Sequence, residues 1–490
     1  MFELPLLNTV KINTINNLFI NIAVWVWISL YIFIIDNNFH ECSLLSPCSH
    51  HVSSKVLHTY KKPLTNRYYS TSVTTNNLDN EFFKWFSGFT DAEGSFLIVA
   101  LPKGSHGKWN FPSARFSFKF SIGLHLDDVN ALNYIKDKLG FGKVYSFEKA
   151  SYYNVTKKED IIKLINIFET YTLNSTKKFD FLDFKKAYYL YNNRDLLTEE
   201  LINKILEIKN NMNSSRKDME VRQEFNISKS WLIGFLEGDG SFSLSRNTME
   251  PTFAIRLTES QLPLLIEIKE YLKNSLDMDL YSKKKLESSP IVSIGKGKAV
   301  NNSKPLTLLT IRNIHFLNNC FIPFFNENEF MTKKGLDFKE FKIICNAIYK
   351  GAHRSERIKN LLIKLSLGMN NYRLLSYTGE KIHISIPEVN EIINAKATIQ
   401  HLSDGRELDI NTKKIIHRRS SSSIYEISKY STILNSKEII LKQNLADSAK
   451  ELGVGFNTLK KLLDSQPIGD SVEYKGNTIR RIGVFSEKIR

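Results

Sequence analysis

The 490 residues predict an α+β fold: two pseudo-symmetric αββαββα units and a small C-terminal module resembling a helix-turn-helix. Three observations carry this. Residues 85 to 96 read WFSGFTDAEGSF, and residues 231 to 242 read WLIGFLEGDGSF in the same frame, 146 residues further on. Self-similarity over a domain-sized period marks a duplication. Apolar and polar residues alternate from Arg115 to Ile122 and from Thr252 to Leu257, the pattern of half-buried strands. Finally, Thr176 to Phe184 answers Thr332 to Phe341, and alignment on Asp-Phe-x-x-Phe matches Lys177 with Lys334. Each unit thus reads helix, two strands, helix, two strands, helix.

A chain this long exceeds one ordinary core. The expected division is 1–78 hydrophobic leader and linker, 79–222 first unit, 223–357 second unit, 358–435 extension and linker, and 436–490 C-terminal module. Hydrophobic residues at 42% and charged residues at 24% exclude a disordered chain. A net charge of +16 suits a polyanionic partner. Abundant Lys, Asn, Ile, Phe and Tyr also fit AT-rich codon usage, so charge alone decides little. Cys42, Cys48, Cys320 and Cys345 are too few and scattered for a disulfide scaffold. Cys42 and Cys48 followed by His50 and His51 match no common zinc spacing.

Residues 18 to 35 form an uncharged apolar run that reaches the lower limit for crossing a bilayer. Arg67 to Ser72 resembles a mitochondrial processing signal. Two readings stand, a leader removed before folding and a retained membrane anchor. Neither places chemistry before residue 79.

The repeated motif predicts helices over Phe82 to Ala92 and Ser228 to Gly238, each stopped by a glycine, Gly94 or Gly240. Gly88 and Ala92 are four apart, as are Gly234 and Gly238, so each pair shares one helix face. Small residues at that spacing let two backbones approach closely. Packing of the two helices then brings Glu93 and Asp239 out together at their C-terminal ends. Two carboxylates repel there, and the helix dipole adds to the repulsion. Divalent cations relieve that conflict, with the carbonyls of Ala92 and Gly238 as further oxygen ligands, and oxygen-only ligation favours Mg²⁺.

These stretches, FSGFTDAEG (86 to 94) and LIGFLEGDG (232 to 240), resemble the signature of the LAGLIDADG homing endonuclease family over about residues 79 to 350. The resemblance implies a single-chain, monomeric pseudo-dimer with saddle-shaped antiparallel sheets on double-stranded DNA, cutting a long asymmetric site to promote intron mobility. It implies metal binding by Glu93 and Asp239 and support of the chemistry by Lys177 and Lys334, although Lys178 and Lys333 adjoin them and phosphate contact is the other reading. The family also implies intron encoding, often in fungal mitochondria, hence a mitochondrial matrix location. Some of its members bind group I intron RNA as maturases instead of cutting, or in addition. An acid in both repeats favours cleavage.

Outward strand positions are expected to read the target. Lys119 and Arg256 lie opposite core-facing residues, and Arg115, Arg246 and Arg312 are further candidates for bases or phosphates, or else surface charges. Lys283 to Lys285, Lys296 and Lys298 fall in an insertion near 283 to 305 that reads as a phosphate-contacting loop. Arg418 to Ser423 reads as a linker. Residues 446 to 463 resemble a helix-turn-helix with Lys460 and Lys461 outward, either an added DNA-binding unit or a packed helical hairpin. Residues 358 to 417 show no recognisable pattern.

Overall fold

The computed structural model describes residues 75–101, 115–213, 224–276, 291–297, 304–326, 329–374, 376–402, 405–416, 423–431, 436–442, 444–467 and 469–483. The apolar run at 18–35, the segment 67–72, Cys42, Cys48, His50 and His51, and the lysines at 283–285 and 298 lie outside them. Among the described residues, no helix is long and apolar enough to cross a membrane.

The first unit runs α1 (Thr75–Glu93), β1 (Gly94–Leu101), β2 (Arg115–His125), α2 (Val129–Leu139), β3 (Lys143–Ser146), β4 (Ala150–Val155), α3 (Lys158–Thr170), α4 (Lys177–Asn192) and α5 (Glu199–Asn210). The second repeats it as α6 (Lys229–Asp239), β5 (Gly240–Ser245), β6 (Glu250–Thr258), α7 (Leu262–Ser275), β7 (Val292–Gly297), β8 (Leu306–Ile311), a helical run α8 over 314–324, α9 (Lys334–Tyr349) and α10 (Glu356–Ser366). The sheets have matching orders, β1-β2-β4-β3 and β5-β6-β8-β7, with all pairs antiparallel.

Strand alternation sorts the faces as the sequence predicts. Phe96, Ile98, Phe116, Phe118, Phe120 and Ile122 are buried on one face of the first sheet. Phe96 meets Phe181 and Phe184 of α4 at 5.6 and 5.5 Å between ring centres. Phe242 repeats this against Phe338 and Phe341 of α9, at 5.4 and 5.2 Å. Tilted aromatic rings at these separations add ring–ring contact to the burial itself.

Gly94 and Gly240 follow the last helical residues, Glu93 and Asp239, as expected. Gly240 is extended (φ −75°, ψ 145°) and opens β5 directly, rather than closing the helix in a left-handed turn. A Cβ there would meet the Leu236 carbonyl at 2.7 Å, and one on Gly94 would meet the Thr90 carbonyl at 2.8 Å. Glycine is needed because the chain leaves the helix by folding back against its own last turn.

The second unit also extends past the expected boundary at 357, which falls inside α10. In the first unit Asn213 (φ 55°) donates from its backbone to Asp180 at 2.8 Å and from its side chain to the Phe96 carbonyl at 3.2 Å. Asn370 (φ 57°) does the same with Asp337 at 3.0 Å and the Phe242 carbonyl at 2.9 Å. Asparagine tolerates the left-handed region, and its amide closes each unit over the sheet.

Beyond Asn370 lie α11 (Ile386–Asn394) and a three-stranded sheet of β9 (Ile399–His401), β10 (Glu407–Asp409) and β11 (Ile415–Ile416), so the patternless stretch is folded. The C-terminal module comprises β12 (Ser423–Ser431), β13 (Ser436–Lys442), α12 (Leu445–Leu452), α13 (Phe456–Asp464), β14 (Ser471–Tyr474) and β15 (Asn477–Gly483). β12 pairs with both β13 and β15, so the expected boundary at 435 divides a hairpin and the module begins earlier. Its helices meet at Gly453 (φ 62°) and share a separate core of Tyr425, Ile427, Leu445, Ala449, Leu452, Leu459, Leu463, Val472 and Ile479.

Candidate active site and nucleic-acid face

Helices α1 and α6 touch through their backbones. A Cβ on Gly88 would stand 1.9 Å from the Trp231 carbonyl oxygen, and one on Gly234 would stand 2.0 Å from that of Trp85. One turn further, a Cβ on Gly238 would lie 2.7 Å from that of Ala92 and 2.5 Å from Glu93 Oε1. The four small residues therefore form one seam. Glu93, the last residue of α1, crosses it toward the end of α6, where Asp239 stands.

Each copy carries an earlier acid whose function sequence reasoning missed. Asp91 accepts hydrogen bonds from the Asn174 and Ser175 backbones at 2.7 and 2.8 Å and from Trp231 Nε1 at 2.9 Å. Glu237 accepts from the Thr332 backbone at 3.1 Å, and from the Met331 backbone and Thr332 hydroxyl. These acids tether the chain just before α4 and α9, whose first residues are Lys177 and Lys334. An acid two positions before the helix end in both copies was the available signal.

The tether delivers the lysines to the seam. Lys177 Nζ donates to the Ala92 carbonyl at 2.5 Å and the Thr90 carbonyl at 3.4 Å. Lys334 Nζ donates to the Gly240 carbonyl at 2.6 Å. Lys333 is turned elsewhere, its Nζ 2.6 Å from Asp127 Oδ2 and its backbone amide bonded to Asp128 at 2.7 Å.

Burial raises the Glu93 pKa, with the charges of Lys177 and Lys334 opposing and Asp128 adding to the rise. Asp239 is pushed up to about 7 by burial, opposed by Lys177 and reinforced by Glu93. Burial also lowers the Lys177 pKa, against Asp239, Asp91 and Glu93. A pair of acids both raised above the ordinary carboxylate range is electrostatically suited to a cation, and its oxygen donors suit a hard one. Of the candidate carbonyl ligands, Ala92 already gives one lone pair to Lys177 and keeps its second.

The proposed reading positions fall on two outer sheet faces and beyond them. Arg115 lies opposite Leu101 and Lys119 opposite Leu97, and Arg256 lies opposite Leu308, all on the faces turned from the core. Arg246 is exposed in the β5–β6 turn and Arg312 is exposed just after β8. On α13 of the separate module, Lys460 is half-buried and Lys461 exposed. Lys296 is on the edge strand β7 rather than in a loop, because 292–297 pairs with β8, and its Nζ lies 2.5 Å from Glu259. Leu97, Val99, Leu101, Tyr145 and Tyr152, apolar or aromatic and so not singled out by their charge, are also exposed on the outer face of the first sheet.

A profile of the LAGLIDADG endonuclease family matches residues 86–188 and 232–345, one stretch in each unit. The chain is 30% identical over 291 residues to the probable intron-encoded endonuclease Cox1-I1b of Schizosaccharomyces pombe, which spans 58% of this chain and 69% of that protein. It is 24% identical over 357 residues to the uncharacterized mitochondrial protein RF1 of Saccharomyces cerevisiae, over 68% and 70% of the two chains. Among solved structures, the meganuclease I-SmaMI bound to uncleaveable DNA shares the fold with a TM-score of 0.50 at 22% identity, over 59% of this chain and 97% of that one. With both units matched and more than two thirds of a 30% identical relative covered, the chain belongs to the LAGLIDADG homing endonuclease family.

Proposed function

We propose that this protein is a site-specific double-stranded DNA endonuclease that acts as a single-chain pseudo-dimer, with Mg²⁺ as its cofactor, in the mitochondrial matrix. The observation that carries the reading is the meeting of Glu93 and Asp239 at one end of a backbone-to-backbone seam, flanked by Lys177 and Lys334. One acid from each unit suits a target with two strands. A divalent cation held by Glu93 and Asp239, with the Ala92 and Gly238 carbonyls nearby, supplies Lewis acidity and lowers the pKa of water. Lys177 and Lys334 offset the acids' charge and present ammonium groups for the charge that develops on a phosphate under attack.

The outer faces are the reading surface. Arg115, Lys119 and Arg256 face the groove, Arg246 and Arg312 reach bases or phosphates at the sheet ends, and Lys460 and Lys461 extend phosphate contact from the C-terminal module. The mitochondrial setting and a role in intron mobility rest on relatives named as intron-encoded and mitochondrial.

The test is incubation of the full-length protein with a randomised DNA library and Mg²⁺, beside the Glu93→Gln/Asp239→Asn double variant. Sequence-specific cuts by the parent alone, abolished by EDTA, are expected. Cutting that survives in the double variant refutes the assignment of the acids. No cutting by either, with tight binding of group I intron RNA, points to a maturase instead.

A further inference from the structure

A second cluster of ligand-type side chains lies away from the acid pair, where the extension meets the second unit. His315 belongs to α8, His401 to β9 and Glu407 to β10. His401 and Glu407 are direct cross-strand partners, so their side chains share one face of the small sheet. His315 Nε2 stands 2.6 Å from Glu407 Oε1, and His401 Nδ1 stands 3.6 Å from the same oxygen. One donor atom from each residue falls within 4.8 Å of the others. His315 and Glu407 are buried, and His401 is mostly so.

The tautomer of His401 decides what this cluster needs. Its Nε2 lies 2.9 Å from the Tyr349 carbonyl. A carbonyl only accepts, so Nε2 carries a proton, and in the neutral ring Nδ1 turns its lone pair toward the Glu407 carboxylate. A lone pair facing a carboxylate calls for positive charge between them, supplied either by a second ring proton or by a cation. The Tyr349 ring stacks on His401 at 3.9 Å and 13°, which fixes the imidazole plane. A ligating histidine whose other ring nitrogen donates to a backbone carbonyl is the usual outer shell of a metal site.

We propose that His315 Nε2, His401 Nδ1 and the Glu407 carboxylate bind a first-row divalent transition cation, Zn²⁺ by ligand type, which fastens the 399–409 strands to the second unit. Two imidazoles and one carboxylate at bonds of about 2.0–2.2 Å make a tetrahedral site with one position left over. Donors in such a site stand roughly 3.4 Å apart. His401 Nδ1 and Glu407 are near that spacing at 3.6 Å, while His315 Nε2, hydrogen-bonded to Glu407 at 2.6 Å, must release that proton and draw back as the cation enters. The role is structural and independent of the acid pair, which offers only oxygen.

The test is titration of chelator-treated full-length protein with Co²⁺, followed by its visible absorption and by competition with Zn²⁺. One equivalent with tetrahedral bands is expected. It is retained in the Glu93→Gln/Asp239→Asn variant and weakened at least tenfold in Glu407→Gln and in His401→Asn. Circular dichroism checks that each variant folds, and His401→Asn, at the least buried ligand, serves if Glu407→Gln does not. Zn²⁺ should raise the Tm of the parent and not of the ligand variants. No Co²⁺ uptake by the parent, or uptake unchanged in the ligand variants, overturns the proposal and leaves a hydrogen-bonded triad.

Discussion

Asp91 and Glu93 are two residues apart, yet only Asp91 has its oxygens occupied by buried donors, two backbone amides and an indole. The Lys177 and Lys334 charges act on Glu93 through space. Asp91→Ala leaves three donors without an acceptor and is expected to cost roughly 3–5 kcal/mol, read as a lower urea midpoint. Glu93→Gln removes one of two repelling charges and should leave that midpoint unchanged or raise it. A destabilised Glu93→Gln beside a stable Asp91→Ala would reverse these assignments. The seam glycines make a second contrast. Gly88→Ala puts a methyl 1.9 Å from a carbonyl oxygen that belongs to another helix backbone. The helices must part, at a cost of about 1–3 kcal/mol or more. Gly295→Ala, where an added Cβ meets nothing within 4 Å, should stay within about 0.5 kcal/mol.

At the scale of elements, the two sheets share an order but not a surface. The first turns Leu97, Val99, Leu101, Tyr145 and Tyr152 outward beside Arg115 and Lys119. The second turns out Ser241, Ser243, Thr252, Arg256 and Thr258, with Leu306 and Leu308 on the same face. Apolar side chains read thymine methyls, and hydroxyl and guanidinium groups read hydrogen-bonding edges, so the two half-sites should differ in base preference. Arg256→Ala is expected to cost about 1–3 kcal/mol of binding and relax preference at one base pair. Val99→Ser should reduce discrimination for thymine within the other half-site. Binding to a panel of single-base variants measures both, and a uniform loss across the panel would assign these residues to phosphates.

At the scale of the molecule, the C-terminal module has a core of its own, and Arg406 Nη1 donates to the Gln466 carbonyl at 3.1 Å between extension and module. Ending the chain before β12 should therefore leave the cut position unchanged. Binding should weaken, and its dependence on salt should become shallower by about one unit of slope per lost phosphate contact. Binding and salt slope equal to the full chain would make the module a packing element rather than a DNA contact.

The duplication, the strand faces and the small-residue seam were legible because they depend on local period and residue size, which Gly88, Gly234 and the alternation from Phe116 to Ile122 display directly. The matching Met212-Asn213 and Met369-Asn370 pairs were also in view, but nothing local says that an asparagine will turn left-handed over a sheet. Asp91 and Glu93 are chemically alike in sequence. Only the tertiary structure separates them, because the amides that saturate Asp91 come from residues 174 and 175. His315, His401 and Glu407 likewise form no sequence motif, since hydrogen-bond and ligand geometry depends on distance in space, and the chain between them reveals none of it.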